Sequence, residues 1–257
     1  MANKEQIKKI KNNAELAWAA YGYFHLANKN YKPEKGSEDK KRIDTFTDIR
    51  KKELKAANIK HDDTDEIYPA PTDILNIDYK YYRDEKGNPI KSFLGFEFLV
   101  DKFLGGDFTP NQAKQFFEKY DLLIHQPNTE SGFSACLFQN KETKEFTLAL
   151  RGTEFRLNKD LINDYYIGTN NNDTKRIVEQ YIDMLIFYEE QVRPLLERQK
   201  INQINVTGHS LGGFLTQLLA LVIVYCVNVI IFRFYSLDFL YAFLWLTKGK
   251  SPDEMLQ

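Results

Sequence analysis

The residues Gly208-His209-Ser210-Leu211-Gly212-Gly213 set a serine midway between two glycines. In a G-x-S-x-G segment the serine occupies a tight turn between a strand and a helix, and the positions two away must lack side chains for the backbones to pass. Such a turn lifts the hydroxyl out of the sheet, where it can attack a carbonyl. A helix opening at Leu211 also aims its first N–H groups at that point, where they can hold the oxyanion that forms. Ser210 is the candidate nucleophile, the Leu211 N–H a candidate oxyanion donor, and Gly208, Gly212 and Gly213 the glycines that permit the turn.

A serine hydroxyl is a weak nucleophile until a base takes its proton, and the partners of a G-x-S-x-G serine follow it in the order Ser, Asp, His. The four histidines are His25, His61, His125 and His209, and none follows Ser210. His209 adjoins the serine, but neighbouring side chains diverge across such a turn, so its imidazole is not expected along the line to Oγ. His125, in "DLLIHQPN", ends an expected strand and reads as a hydrogen-bonded structural residue. Asp238 and Asp253 come later, and neither has the setting of a triad acid.

Several elements must position this serine. The segment "FSACLFQNKETKEFTLALRGTE" has two alternating runs around a polar turn and predicts a hairpin of residues 133–139 and 145–151. Ile177, Tyr181, Met184, Leu185, Tyr188, Val192, Leu195 and Leu196 form an amphipathic stripe that predicts a helix over 174–199. A short apolar strand, Ile201 to Val206, enters the serine turn. Strand, long helix and strand in that order imply a right-handed crossover and parallel pairing. Upstream, Thr109 reads as the N-cap of a helix near 110–120, with Pro110 at its first position. Residues 1–60 read as an accessory helical region, in which Leu16, Ala19, Ala20, Tyr23 and Phe24 share helical spacing. Residues 67–106 mix turn signals with an aromatic run and predict no definite element.

Three segments, "FTLALRGTE" (146–154), "DLINDYYIG" (160–168) and "INVTGHSLGG" (204–213), resemble in order and separation the fungal-type, or class 3, lipases. Together with "DFTPNQAKQFFEKYDLLIHQPNTESGFSACLF" (107–138) they are most similar to the bacterial lipase or phospholipase-like branch. The resemblance spans roughly 107–213 and implies an α/β class: a partial α/β-hydrolase fold, with a parallel sheet and nucleophile elbow over 107–257 and a helical or mixed amino-terminal extension over 1–106. It also implies Ser210 as nucleophile, with Thr153 joining Leu211 in the oxyanion hole. The implied substrates are lipid carboxylic esters, triacylglycerol or phospholipid, cleaved through an acyl-enzyme without metal or organic cofactor. Arg151 and Asp164 read as scaffold, because a guanidinium is no base at neutral pH and Asp164 suits a cap or ion pair.

The composition changes after the elbow, since from Phe214 to Leu246 the charged residues are Arg233 and Asp238 alone. Two readings of this atypical apolar tail, 214–246, stay open. Residues 211–225 can be the elbow's helix and Val227–Tyr235 the next buried parallel strand, or Phe214–Phe232 can contact or span a membrane. The family's fold needs further strands and Asp and His loops after the serine, so the domain is expected to be truncated and catalytically impaired. The alternatives are a non-catalytic remnant and a membrane-associated interaction protein.

A net charge of −1 with interspersed signs offers no basic stripe for nucleic acid. Cys136 and Cys226 are too few for a disulfide framework and lack metal-site spacing. The amino-terminal "MANKEQIKKIKNN" has no apolar core of a cleavable signal, which leaves a cytoplasmic or membrane-associated placement.

Overall fold

The computed structural model describes residues 2–60, 66–81, 84, 90–91, 100, 103–152, 171–226 and 231–234. Along the chain these form helices α1 (Ala2–Ala19), α2 (Glu38–Ala56), α3 (Pro71–Leu75) and α4 (Pro110–Lys119), then strands β1 (Tyr120–Gln126), β2 (Ala135–Asn140) and β3 (Phe146–Leu150). Helices α5 (Asn171–Phe187) and α6 (Arg193–Arg198), strand β4 (Gln203–Gly208), helix α7 (Leu211–Cys226) and strand β5 (Ile231–Phe234) follow. Two compact units result, Met1–Ala20 with Leu122–Gln257, and Tyr21–Asp121.

The sheet runs β1-β2-β3-β4-β5. β2 and β3 form the expected antiparallel hairpin, Cys136 opposite Ala149. Its turn is closed by Asn140, whose Oδ1 accepts the N–H groups of Glu142 and Thr143 at 2.9 and 3.0 Å, an Asx arrangement that competes with further strand. β3 and β4 are parallel, as are β4 and β5. The fold is α/β, with a mixed sheet in which the hairpin supplies the antiparallel part and the crossover the parallel part.

Alternation along the strands sends Ala135, Leu137, Phe146, Leu148, Leu150, Ile204 and Val206 to one face. There they pack against Met184, Phe187, Tyr188, Val192 and Leu196 from the crossover and Leu215 and Leu219 of α7, forming one apolar core. The long expected helix carries a π-turn at Tyr188–Val192, in which the Arg193 N–H donates to Tyr188 O. Pro194 explains it: the ring has no N–H to give and crowds the carbonyl four residues back, and a widened turn relieves both.

The opposite face of the sheet is covered by α1, which packs on β3 and β4. Thr207, pointing away from the core of its neighbour Val206, donates through Oγ1 to Asn13 O at 3.2 Å. Leu16, Ala17, Ala19 and Ala20 are buried. Although its sequence reads as accessory, α1 is a layer of the sheet unit. The beginning of the apolar tail forms α7 and then, after 227–230, strand β5, which is the helix-and-strand order. Among the described residues no helix is long and apolar enough to cross a membrane.

In the Tyr21–Asp121 unit, Ser37 caps α2 by accepting the Lys40 N–H, and Ile43 and Phe46 bury its inner face. Thr109 caps α4 reciprocally: its Oγ1 accepts the Gln112 N–H at 3.3 Å and its own N–H donates to Gln112 Oε1 at 3.0 Å. This is the capping box expected of T-P-x-Q.

Candidate active site

Leu150 and Gly208 are register partners in the parallel β3–β4 pair, so the two strands end together at one edge of the sheet. Ligands in α/β folds gather at this carboxyl edge. From β4 the chain turns through Ser210, whose φ of +55° lies in the left-handed region, an unfavourable conformation for a residue with a side chain. The turn is closed by Gly212 N–H on His209 O at 3.0 Å, Gly213 N–H on Ser210 O at 2.9 Å and Phe214 N–H on Ser210 O at 3.2 Å.

The glycines are dictated by contact. A Cβ on Gly208 would lie 2.3 Å from Gly212 O, and one on Gly212 would lie 2.2 Å from Leu150 O. Gly208 thus lets the turn double back on itself, while Gly212 lets the new helix press on the end of β3. Gly213 is buried and contributes its N–H to the turn. Ser210 and Leu211 are half-buried and His209 is exposed. As the first residue of α7, Leu211 has an N–H without an intrahelical acceptor.

The β3 end is fixed by Arg151. Its backbone N–H donates to Ser134 O at 3.0 Å, and its buried guanidinium donates to Asn128 Oδ1 and, at 3.4 Å, to Gly132 O. The same 128–134 loop is tied to α5, where Asp183 accepts from Ser131 Oγ at 2.7 Å and Gln180 donates to Ser131 O at 2.9 Å. Arg151 therefore acts on the loop and the strand end. Ser131, Gln180 and Asp183 were not singled out from sequence, and no local pattern marks a pairing across some fifty positions of chain. Thr153 and Asp164 lie outside the described residues.

The histidines of the sheet unit are engaged elsewhere. His125 Nδ1 is 3.3 Å from Cys136 Sγ, and burial pushes that thiol well above the usual cysteine range, so it remains protonated. The structural reading of His125 rests on this contact. His209 sets its ring edge-on to Trp18, centroids 5.3 Å apart. In the other unit His25 Nε2 meets Asp39 Oδ2 at 2.9 Å, while His61, Asp238 and Asp253 lie outside the described residues. Among the described residues no group of three or more His, Cys, Asp or Glu is placed to hold a metal ion. At the opposite edge of β3 and β4, an open depression of about 270 Å³ is lined by Lys144, Lys200 and Asn202.

A family model for lipase (class 3) matches residues 147–230, the stretch that contains β3, the crossover, the elbow and α7. No curated protein matches the chain. Among solved structures, the lipase from Rhizopus microsporus var. chinensis is 18% identical over 48% of this chain and 46% of its own, with a TM-score of 0.37. The nonglycosylated LIP2 lipase of Yarrowia lipolytica is 16% identical over 85% of this chain and 54% of its own, TM-score 0.41. Another structure of that Lip2 lipase is 23% identical over 44% of each chain, TM-score 0.35. The chain thus spans about half the length of the solved lipases it is similar to. Residues 147–230, about a third of the chain, are thus similar to the class 3 lipase family.

Proposed function

We propose that Ser210 is the nucleophile of a serine hydrolase acting on lipid carboxylic esters, triacylglycerol or phospholipid. The observation that carries this reading is the left-handed Ser210 between Gly208 and Gly212, packed against the end of β3 within the segment that matches the lipase family. In the reaction Ser210 Oγ attacks the ester carbonyl and loses its proton to a base. The Leu211 N–H stabilises the tetrahedral oxyanion, and Thr153, two residues past Arg151, supplies the second donor. Collapse expels the alcohol, which takes up a proton, and leaves an acyl-serine. Water then adds to the acyl carbon and releases the acid.

Activation is the weak step. Leu150 and Gly212 bring strand and elbow together, but the sequence has no histidine after Ser210 and His125 and His209 are engaged by Cys136 and Trp18. Serine hydrolases stripped of triad groups keep about 10³–10⁴-fold acceleration over water from oxyanion binding alone. We accordingly propose slow turnover for this chain by itself. Hydrolysis of a short-chain p-nitrophenyl ester tests the reading: weak activity that Ser210→Ala removes supports it. Equal rates in the two proteins would leave the remnant or interaction-protein reading in its place.

A further inference from the structure

Helix α1 covers the sheet with one side and shows water the other. On the outer side Ile7, Ile10, Ala14 and Trp18 follow at i, i+3, i+7 and i+11, which keeps them on one stripe. All four are exposed, Ile7 at 65%, Ile10 at 53% and Trp18 at 41%. Beside this stripe run Lys4, Lys8 and Lys11 at i, i+4 and i+7, likewise exposed. With Lys9, and against Glu5 and Glu15, the helix carries four positive and two negative side chains, a net +2. The stripe ends at Trp18, whose ring meets His209, the residue before Ser210. The lysine row, the apolar stripe and the elbow are therefore continuous on the surface of the sheet unit.

A second apolar stripe offers a contrast. Val178, Ile182 and Ile186 of α5 are exposed at i, i+4 and i+8, but the exposed neighbours described there include Glu179, Glu190 and Glu189, the last paired with Arg193. An acidic rim repels an anionic surface, whereas a lysine rim beside isoleucine and tryptophan is the composition of a helix that lies in a headgroup layer.

We propose that α1 docks the protein on an anionic lipid surface, Ile7, Ile10 and Trp18 entering the headgroup boundary while Lys4, Lys8 and Lys11 pair with lipid phosphates. Docking in this way sets the elbow beside the lipid. The benefit to catalysis rests on the lipid-ester reading of Ser210, but the binding does not.

Sedimentation of the full chain with vesicles of phosphatidylcholine alone or with about 30% phosphatidylserine tests it. The expected result is binding to the anionic vesicles, reduced about tenfold or more by Lys4→Glu/Lys8→Glu/Lys11→Glu and by Ile7→Ser/Ile10→Ser, and retained in the matching lysine-to-arginine variant. Ile182→Ser on α5 should bind as the wild type does. In a Trp245→Phe background, Trp18 emission should shift to the blue on binding. Equal partition into neutral and anionic vesicles, or binding indifferent to the α1 substitutions, overturns the proposal. Ser210→Ala separates it from the catalytic reading, because that variant should keep vesicle binding whatever happens to ester hydrolysis.

Discussion

The two compact units are held together by different kinds of contact. In the sheet unit, Leu137, Leu148, Leu150, Met184, Tyr188 and Leu215 are essentially inaccessible to solvent, and the elbow adds backbone approaches that tolerate no extra atom. In the Tyr21–Asp121 unit, aromatic edges such as Phe46–Tyr79, with centroids 4.8 Å apart, are joined by a charged network around α2. There Asp39 receives His25 and, at 2.7 Å, the Tyr31 hydroxyl, Glu66 receives Lys40 at 3.1 Å, and Lys80 pairs with Asp107. The sheet unit should therefore respond to volume and the other unit to protons.

The sharpest separation comes from Gly212→Ala. Its methyl group would meet Leu150 O, which is backbone and cannot rotate away, so the strand end or the elbow must move. We expect a loss of roughly 3 kcal/mol or more, with amide exchange in β3, β4 and α7 rising first. Protection unchanged in those strands would break the account of the elbow.

Leu148→Ala comes next. The side chain is fully buried in the core, and truncation there costs about 2–5 kcal/mol according to how far the site collapses. A urea midpoint that hardly moved would mean the sheet core is looser than described.

In the other unit, Thr109→Ala removes one arm of the capping box of α4 and should cost about 1 kcal/mol. Exchange in α4 reports it.

Acid gives the smallest effect and the clearest contrast. Burial works to raise the Asp39 carboxyl, yet the hydrogen bonds from His25 and Tyr31, with nearby Arg42, hold it below the usual carboxylate range. The Tyr68 hydroxyl does most to hold Glu66 low, opposed by burial and aided by Lys40. Both folded-state values are depressed, so their stabilisation is present above the unfolded carboxylate range near pH 4 and is lost as pH falls through the folded values. Burial and Asp39 push the Tyr31 hydroxyl up to about 12; that contribution is present below the unfolded tyrosine value and fades as pH rises through the folded one. As pH falls below about 4, exchange should accelerate in α2 before it does in β3 and β4. The reverse order would erase the distinction between the units.

Much of the sheet was legible because its signals are local. The alternation in 133–151 marks the hairpin, Thr109-Pro110 with Gln112 marks the helix start, and G-x-S-x-G marks the turn. Parallel pairing followed from chain order alone. What could not be read was non-local: α1 reaches the sheet through Asn13 and Thr207, 194 residues apart, and no periodicity in α1 names its partner. The Ser131–Asp183 tie is of the same kind. Pro194 was visible, but that it would widen the helix at Tyr188 rather than end it depended on Tyr188, Val192 and Leu196 all having core to fill. The glycine spacing was legible, whereas its exact partner, Leu150 O, appears only once β3 lies beside β4.

The most direct test of the proposed reading, a displayed Ser210 that the described histidines do not serve, is the rate of fluorophosphonate labelling against pH. Modification should be confined to Ser210 and absent from Ser210→Ala. It should be slow at neutral pH and rise about tenfold per pH unit with no plateau, as expected when hydroxide rather than a side chain removes the proton. Rapid stoichiometric labelling that levels off in the histidine range and disappears in His125→Ala would contradict it, because an upstream imidazole would then be serving the serine.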